Sequence, residues 1–554
     1  MTTPTLRPYQ QTLADQVRAA YRAGFKCPLV VASTGAGKTI LFSYITFHAA
    51  ARGTPVIAAA HRKEIIRQIA LSFARFGISH DIIAPPQLRR AIMAAQFKAF
   101  GRSFVKAGAS VMVGSVQTLV TRFDVIDATL AKAGKPPLIV MDEGHHVVQD
   151  TQWGRVMERY HVEAGGPGLI VTASPQRLDG RGLGKGSGGY ADTLIEAPPM
   201  TWLMENGYLS PYRALTAPNQ LNLDGVHTRM GDFVSSELAE RVDKPSITGD
   251  AIQHWRQHAN GMRAVAFCVS VEHSKHVAAE FNAAGIPAAH IDGGIDDAER
   301  DKAIIDFAAG RVMVLCNVNI VSEGFDLGSI AQTDVTIDCL IDLAPTQSLV
   351  NFMQRAGRAL RPAPGKVAVL LDHAGNIYRH GLPDEAREWS LDGYKRQKRK
   401  AANDNEPGVA RVSTCSRCFT IHLPAPTCPT CGHVYPEKAR KIEQAEGELQ
   451  ELTSDQLDAM RRARRVMQGK AQTVDELVHQ MGMSRARAQK IVQAREAKAR
   501  QIDAVMAGLE RIKAATGLGP YQALGVTLGD IRRMKPKELI ALQVRIGEAL
   551  KVPA

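Results

Sequence analysis

Three residue sets in this 554-residue chain combine types and spacing that suit chemistry. The first is Ala32-Ser33-Thr34-Gly35-Ala36-Gly37-Lys38-Thr39, between an apolar run at 28–32 and a helical pattern at 39–51. A glycine-rich turn between strand and helix turns backbone N–H groups, here those of Thr34, Gly35 and Gly37, toward phosphate oxygens, and the helix dipole adds positive potential. Lys38 suits the β- and γ-phosphates of a nucleotide, and the Thr39 hydroxyl suits Mg²⁺. The second set is Asp142-Glu143-Gly144-His145, after the apolar run 138–141. Carboxylates at the end of a buried strand are costly without a cation. Asp142 is therefore expected to hold Mg²⁺ and Glu143 to activate a water. The third is Gln354, Arg358 and Arg361 on a predicted helix over 347–360, where a spacing of one turn lets both arginines reach one γ-phosphate. The bland alternatives are a ligand-free glycine turn and a solvated basic helix face.

A fourth set differs in kind. Cys415, Cys418, Cys428 and Cys431 form two C-x-x-C knuckles separated by nine residues. This spacing suits a closed, four-thiolate, structural Zn²⁺ site, with a redox dithiol as the alternative. Cys27, Cys268, Cys316 and Cys339 lie in apolar runs and read as buried thiols.

The elements that must position these groups alternate. Apolar strand patterns at 28–32, 56–60, 111–115, 138–141 and 169–172 are interleaved with helical ones. A second series at 264–269, 288–291, 312–316, 335–341 and 367–371 repeats the rhythm. This predicts an α/β fold with two tandem parallel sheets covered by helices. The divisions are 1–205 and 261–380 for the two α/β domains, 206–260 as a linker segment, 381–410 as a basic and polar linker, 411–437 as a small zinc ribbon, and 438–554 as an α-helical, basic C-terminal region. Residues 180–189 read as a flexible glycine-rich loop. Residues 77–109 are an extra basic segment. In the tail, 474–481 and 485–492 read as helix-turn-helix, with Arg485, Arg487 and Lys490 near phosphates, or as a plain basic helical pair.

Taken together, the motifs over residues 5–375 resemble superfamily 2 helicases of the DExH type. The resemblance implies two RecA-like domains with ATP hydrolysed in the cleft between them. It implies adenine recognition by Arg7 and Gln10, and coupling of hydrolysis to movement through His145, Thr172 and Ser174. Gly324 and Asp326 fall in the segment resembling motif V, on the nucleotide side. Arg62, Gln117 and Thr118 match positions that contact a nucleic-acid strand, and Asn317 stands at a motif V strand-contact position where relatives often carry threonine. The opening LRPYQQ, residues 114–118, LDHAGN at 371–376 and the following cysteines resemble RadD-type DNA repair helicases and their prophage relatives.

Composition agrees with this reading. Net charge is +13, with 68 Lys+Arg against 55 Asp+Glu. Residues 381–554 carry +9 of it, from 30 Lys+Arg and 21 Asp+Glu. An excess of this kind favours a polyanionic partner. No apolar run is long enough for a membrane span and the N-terminus has no secretory pattern, so a cytoplasmic protein without a membrane partner is expected. The expected function is an ATP-dependent DNA helicase or translocase using ATP, Mg²⁺ and structural Zn²⁺. The alternatives are a double-strand remodeller, an RNA helicase and an ATP-gated scaffold. A protein partner for the ribbon or tail is also expected.

Overall fold

The computed structural model describes residues 4–216 (except 178), 228–229, 232–233, 237–238, 242, 245–318, 327–331, 333, 335–392, 413–414, 421–422, 450–451, 485–516, 531, 534 and 536–550. The first lobe is a seven-stranded parallel sheet. Its strands are β1 (Pro28–Val31), β2 (Val56–Ala60), β3 (Asp81–Ile83), β4 (Val111–Ser115), β5 (Leu138–Met141), β6 (Gly168–Thr172) and β7 (Thr193–Glu196), in the order β3-β4-β2-β5-β6-β1-β7. Helices α1 (Pro8–Arg22), α2 (Lys38–Ala51), α3 (Lys63–Arg75) and α4 (Pro86–Phe100) precede or connect the early strands. Strands β1, β2, β5 and β6 are buried along their whole length, as an apolar sheet covered on both faces requires. The order sets β1 beside β6 and β6 beside β5. The strand ends that carry the phosphate-type loop, the acidic pair and Thr172 are therefore neighbours.

The second lobe repeats the plan with β8 (Tyr212–Thr216), β11 (Ala264–Phe267), β12 (Ala288–Ile291), β13 (Val314–Asn317), β14 (Cys339–Asp342), β15 (Ala368–Asp372) and β18 (Gln450–Glu451) in the order β12-β13-β11-β14-β15-β8-β18. Only β18 is antiparallel in this sheet, pairing with β8. Two short antiparallel pairs complete the described strands: β9 (Thr228–Arg229) with β10 (Asp232–Phe233), and β16 (Ser413–Thr414) with β17 (Ile421–His422). Tandem parallel sheets were expected, and both are present.

Three segments differ from expectation. The 206–260 stretch is not only a connection, because β8 enters the second sheet and helix Pro245–His258 covers it through Ala251, Ile252 and Trp255. The glycine-rich stretch 180–189 is pinned, with Gly184 N donating to Leu391 O at 2.9 Å and Lys185 N to Ala191 O at 3.0 Å. Residues 381–392 are docked as well: Trp389 and Leu391 pack on the first lobe's core, and Tyr212 Oη donates to Asp384 at 2.5 Å.

A separate compact unit comprises residues 401–441 and 453–554. Within it, helix Arg485–Thr516 packs on helix Pro536–Ala549 through Val505, Leu509, Leu539 and Ile546. The helix read over 485–492 is longer than expected, running from Arg485 to Thr516 with Ala488 buried. The expected first helix at 474–481 lies outside the described residues.

Candidate active site

The loop after β1 makes two left-handed turns, Gly35 at φ 88° and Gly37 at φ 76°, and Gly37 then caps α2. A side chain at Gly37 would also collide with the Gln10 amide, so glycine is needed there on two counts. Lys38 Nζ donates to Ala32 O at 3.2 Å and Ser33 O at 3.5 Å within its own loop. Burial lowers the Lys38 pKa, while Glu143 and Asp142 oppose that shift. Thr39 stands in the first turn of α2, half-buried.

Gln10 holds the loop from outside. Its Nε2 donates to Ala36 O at 3.1 Å, its Oε1 accepts from Arg7 N at 3.0 Å, and Tyr9 Oη donates to the same Ala36 O at 2.8 Å. Arg7 stacks over Tyr208 at 5.2 Å, within a ring cluster of Tyr9, Trp202 and Tyr208. Gln10 thus braces the phosphate loop directly, a link that sequence spacing did not reveal.

At the end of β5, Asp142 accepts from Glu143 N at 2.9 Å. Burial raises the Asp142 pKa and the Lys38 charge restrains it. Glu143 adopts φ 52°, a left-handed conformation that is rare for a residue with a side chain and costs about 1–3 kcal/mol. Its Oε2 lies 3.6 Å from His145 Nδ1, which lies 3.4 Å from Thr172 Oγ1. Thr172 Oγ1 donates to Ser174 O at 2.9 Å. The three expected coupling residues therefore form a chain leading away from Glu143. Arg177, absent from the sequence expectations, donates to His145 O and completes it.

The second lobe contributes helix Leu349–Ala359, capped by Ser348 Oγ accepting from Asn351 N. Gln354 Nε2 donates across the cleft to Glu143 Oε2 at 3.2 Å, while its buried Oε1 has no hydrogen-bond partner. Gly357 approaches Thr34 so closely that a methyl group there would overlap the threonine side chain. Arg361 Cγ approaches to 3.8 Å of the position a side chain on Gly35 would take, and both Arg358 and Arg361 act electrostatically on Lys38. Arg361 is not on the helix, however. The helix ends at Ala359 because Pro362 disfavours α geometry at the residue before it. The Arg361 carbonyl is held instead by Lys366 Nζ at 2.8 Å and Ser210 Oγ at 3.0 Å.

Arg355 is a further residue that motif reading passed over. It is buried, its Nη1 reaches Asp342 Oδ1 at 3.1 Å and Ala344 O at 2.6 Å, and it lies 5.3 Å over the Phe267 ring. Asn376 Nδ2 donates to the other Asp342 oxygen at 2.8 Å. Asp372 caps the following turn through Asn376 N and Ile377 N. Burial, then the neighbouring Asp342, pushes the Asp372 pKa up to about 6. This network anchors helix Leu349–Ala359 to the sheet.

On another side of the cleft, a cavity of about 580 Å³ is lined by His61, Lys63, Leu88, Ser115, Thr118 and Asp297. Arg62 precedes α3 and donates to His61 Nε2 at 3.1 Å, Ser115 caps the turn holding Thr118, and Gln117 is exposed. Lys63 crosses the cleft to Asp297 at 2.8 Å. Asn317 departs from its expected strand contact. It is buried at the end of β13 and donates to Ala266 O at 3.0 Å, so its amide serves the sheet. Gly324, Asp326 and the four knuckle cysteines lie outside the described residues. The other cysteines, Cys27, Cys268, Cys316 and Cys339, are buried free thiols. No helix among the described residues is long and apolar enough to cross a membrane.

Residues 3–176 match the family described as Type III restriction enzyme, res subunit, and residues 243–363 match the Helicase conserved C-terminal domain. A 51.5 kDa protein of Lactococcus phage (isolate 7-9) is 32% identical over 432 residues, covering 77% of this chain and 83% of the phage protein. A Schizosaccharomyces pombe protein described as a mitochondrial ATP-dependent helicase, irc3, is 27% identical over 432 residues, and this chain spans 64% of its length. The ATP-dependent helicase IRC3 of Saccharomyces cerevisiae is 24% identical over 371 residues, with 50% of its length spanned.

Proposed function

Because the chain belongs to the superfamily 2 DExH-type helicases, an ATP-dependent class acting on nucleic acid, we propose that its two lobes form a DNA motor driven by hydrolysis at the Lys38–Glu143–Arg358 site. The observation that carries this reading is the Gln354–Glu143 hydrogen bond, with Gly357 seated on Thr34. These contacts bring the second lobe's motif onto both the phosphate-type loop and the acidic pair of the first.

The donor set fits a nucleotide. Lys38, Arg358 and Arg361 supply cationic charge, and the backbone N–H groups of Thr34, Gly35 and Gly37 suit phosphate oxygens. Arg7 and Gln10 stand on the adenine side in this reading. Thr39 and Asp142 would hold Mg²⁺, which supplies charge neutralisation on the phosphates when bound. Glu143 takes the proton of the attacking water, and the unpartnered Gln354 Oε1 is available to orient that water. Arg358 and Arg361 stabilise the charge that develops as the γ-phosphate leaves, an effect typically of about 10³–10⁵ in rate. Loss of the γ-phosphate loosens the Gln354–Glu143 contact, and the lobes then separate along the strand lying past Arg62, Gln117 and Thr118.

Glu143→Gln is expected to retain ATP binding while turnover falls about 10²–10⁴-fold; hydrolysis near the wild-type rate would overturn the assignment. DNA is preferred over RNA on the resemblance to RadD-type repair helicases, which also suggests a repair or phage-replication setting. ATPase stimulation by single-stranded, duplex and forked DNA and by RNA tests the preference, and strongest stimulation by RNA would reverse it. Structural Zn²⁺ at Cys415, Cys418, Cys428 and Cys431 is supported by their spacing and by the β16–β17 pair bracketing the first knuckle. Metal analysis of purified protein is expected to find one zinc per chain. The ribbon or the helical tail is also the proposed place for a protein partner.

A further inference from the structure

From Ile82 to Phe123 the chain contains no Asp or Glu, a stretch of 42 residues in a protein that has 55 acids in 554. Helix α4 occupies its first third. One face of α4 is fixed to the lobe: Ile92, Ala95 and Gln96 are buried. Gln96 donates to Ala70 O at 2.9 Å, and its Oε1 accepts from Phe104 N at 2.8 Å. The opposite face is exposed and chemically unusual. Phe97 is 63% exposed, the most exposed large apolar side chain among the described residues, and Met93 one turn earlier is 37% exposed. Arg90 shares their face, two turns or about 10 Å from Phe97. Arg90, Lys98, Arg102 and Lys106 are exposed and make no ion pair or side-chain hydrogen bond with a described residue. Arg89, by contrast, is neutralised by Asp81 at 2.5 Å.

The same helix begins at the strand path. Gln87, Leu88 and Ala91 line the cavity shared with His61, Lys63, Ser115 and Thr118. The row Gln87, Ala91, Ala94, Lys98 then runs along α4 away from it. An exposed aromatic among unpaired cations, on a rigid support, has the composition of a stacking platform for unpaired bases. Resting on the strand path proposed above, we infer that the outer face of α4 is a second single-strand site continuous with the cleft. Phe97 stacks on an unpaired base, and Arg90 and Lys98 hold the flanking phosphates. A lone exposed phenylalanine is unremarkable on a protein surface. Its position among Arg90, Lys98 and Lys106, which make no ion pair with a described residue, in a segment with no acid, favours a polyanion over an apolar protein partner.

The test is binding of oligodeoxythymidylates of increasing length by the full chain, read by fluorescence anisotropy. Affinity is expected to step up when the strand is long enough to reach α4. Phe97→Ala should remove that step, with about tenfold weaker binding of long strands and unchanged binding of the shortest. Phe97→Trp should restore it, and strand-free ATPase should not change. Arg90→Gln with Lys98→Gln should flatten the slope of log K against log salt by about 1.4 for long strands. Long-strand binding that matches wild type in both variants would overturn the platform alone. Equal weakening of short and long strands would also overturn it, by moving Phe97 into the cleft path. A wild type that neither binds strands nor shows strand-stimulated ATPase would instead sink the motor reading on which the platform rests.

Discussion

Glycine in the middle of a helix costs roughly 0.5–1 kcal/mol relative to alanine, so Gly357 within helix Leu349–Ala359 requires a compensating reason. That reason is Thr34, whose side chain occupies the space a methyl group would need. Gly357→Ala is therefore expected to act in opposite directions: a slightly higher melting temperature and a large loss of ATP turnover. Equal or better turnover would show that the lobes do not meet through this contact during catalysis. Arg355→Ala tests a different role. It leaves Asp342 buried without its cation, a type of change that typically costs about 3–5 kcal/mol, so denaturant unfolding should register it before any kinetic assay does. The strained Glu143 backbone belongs at this scale too: a left-handed carboxylate at the end of β5 is oriented toward the cleft by its neighbours and not by local preference.

At the scale of elements, α4 depends on a buried histidine. His80 follows α3, stacks edge-on against Phe73 and accepts no solvent contact. Its Nδ1 is bonded to Ile78 O at 2.8 Å and its Nε2 lies 3.1 Å from Gln96. Burial pulls the His80 pKa down to about 4 from 6.5. Because the folded value is the lower one, its contribution is fully present above pH 6.5 and is lost as pH falls toward 4. The loss is about 3 kcal/mol on the linkage relation. Urea unfolding followed across that interval should show the decline, and His80→Gln should flatten it; an identical pH profile in the variant would remove His80 as the cause. Short strands at or near sheet edges show the same dependence on context. Strands β3, β7 and β8 carry polar residues such as Asp81, Glu196 and Arg213 and sit at or near sheet edges. Their sequences lack the unbroken apolar runs that mark β1, β2 and β5.

For the whole molecule, charge and architecture are distributed unevenly. Most of the net +13 belongs to residues 381–554, yet part of that region is structural to the motor, since β18 completes the second lobe's sheet beside β8. A truncation at residue 400 would expose the β8 edge, a known liability of unpaired strands. Removing only residues 453–554 is the cleaner experiment. It is expected to retain strand-free ATPase and to weaken DNA binding most at low salt, because lost phosphate contacts reduce the salt dependence. Affinities that coincide with the full chain at every salt concentration would count against a nucleic-acid role for the tail.

Buried strands announce themselves by apolar runs, and the phosphate-type loop, the acidic pair and the arginine motif are contiguous along the chain. Local sequence was thus enough to determine two parallel sheets and the class of enzyme. It could not decide relationships between residues far apart in sequence. That Gln10 braces Ala36, that Gln354 reaches Glu143, that Arg355 is tied to Asp342 and Asn317 is spent on Ala266 all depend on strand order and on how closely two lobes approach. Arg361 leaves helix Leu349–Ala359 because the proline after it bars helical geometry, while Ser210 and Lys366 hold its carbonyl and its Cγ lies beside Gly35 of the loop. Side-chain type specifies what a group can do, and only the folded chain decides which groups lie within hydrogen-bonding reach of one another.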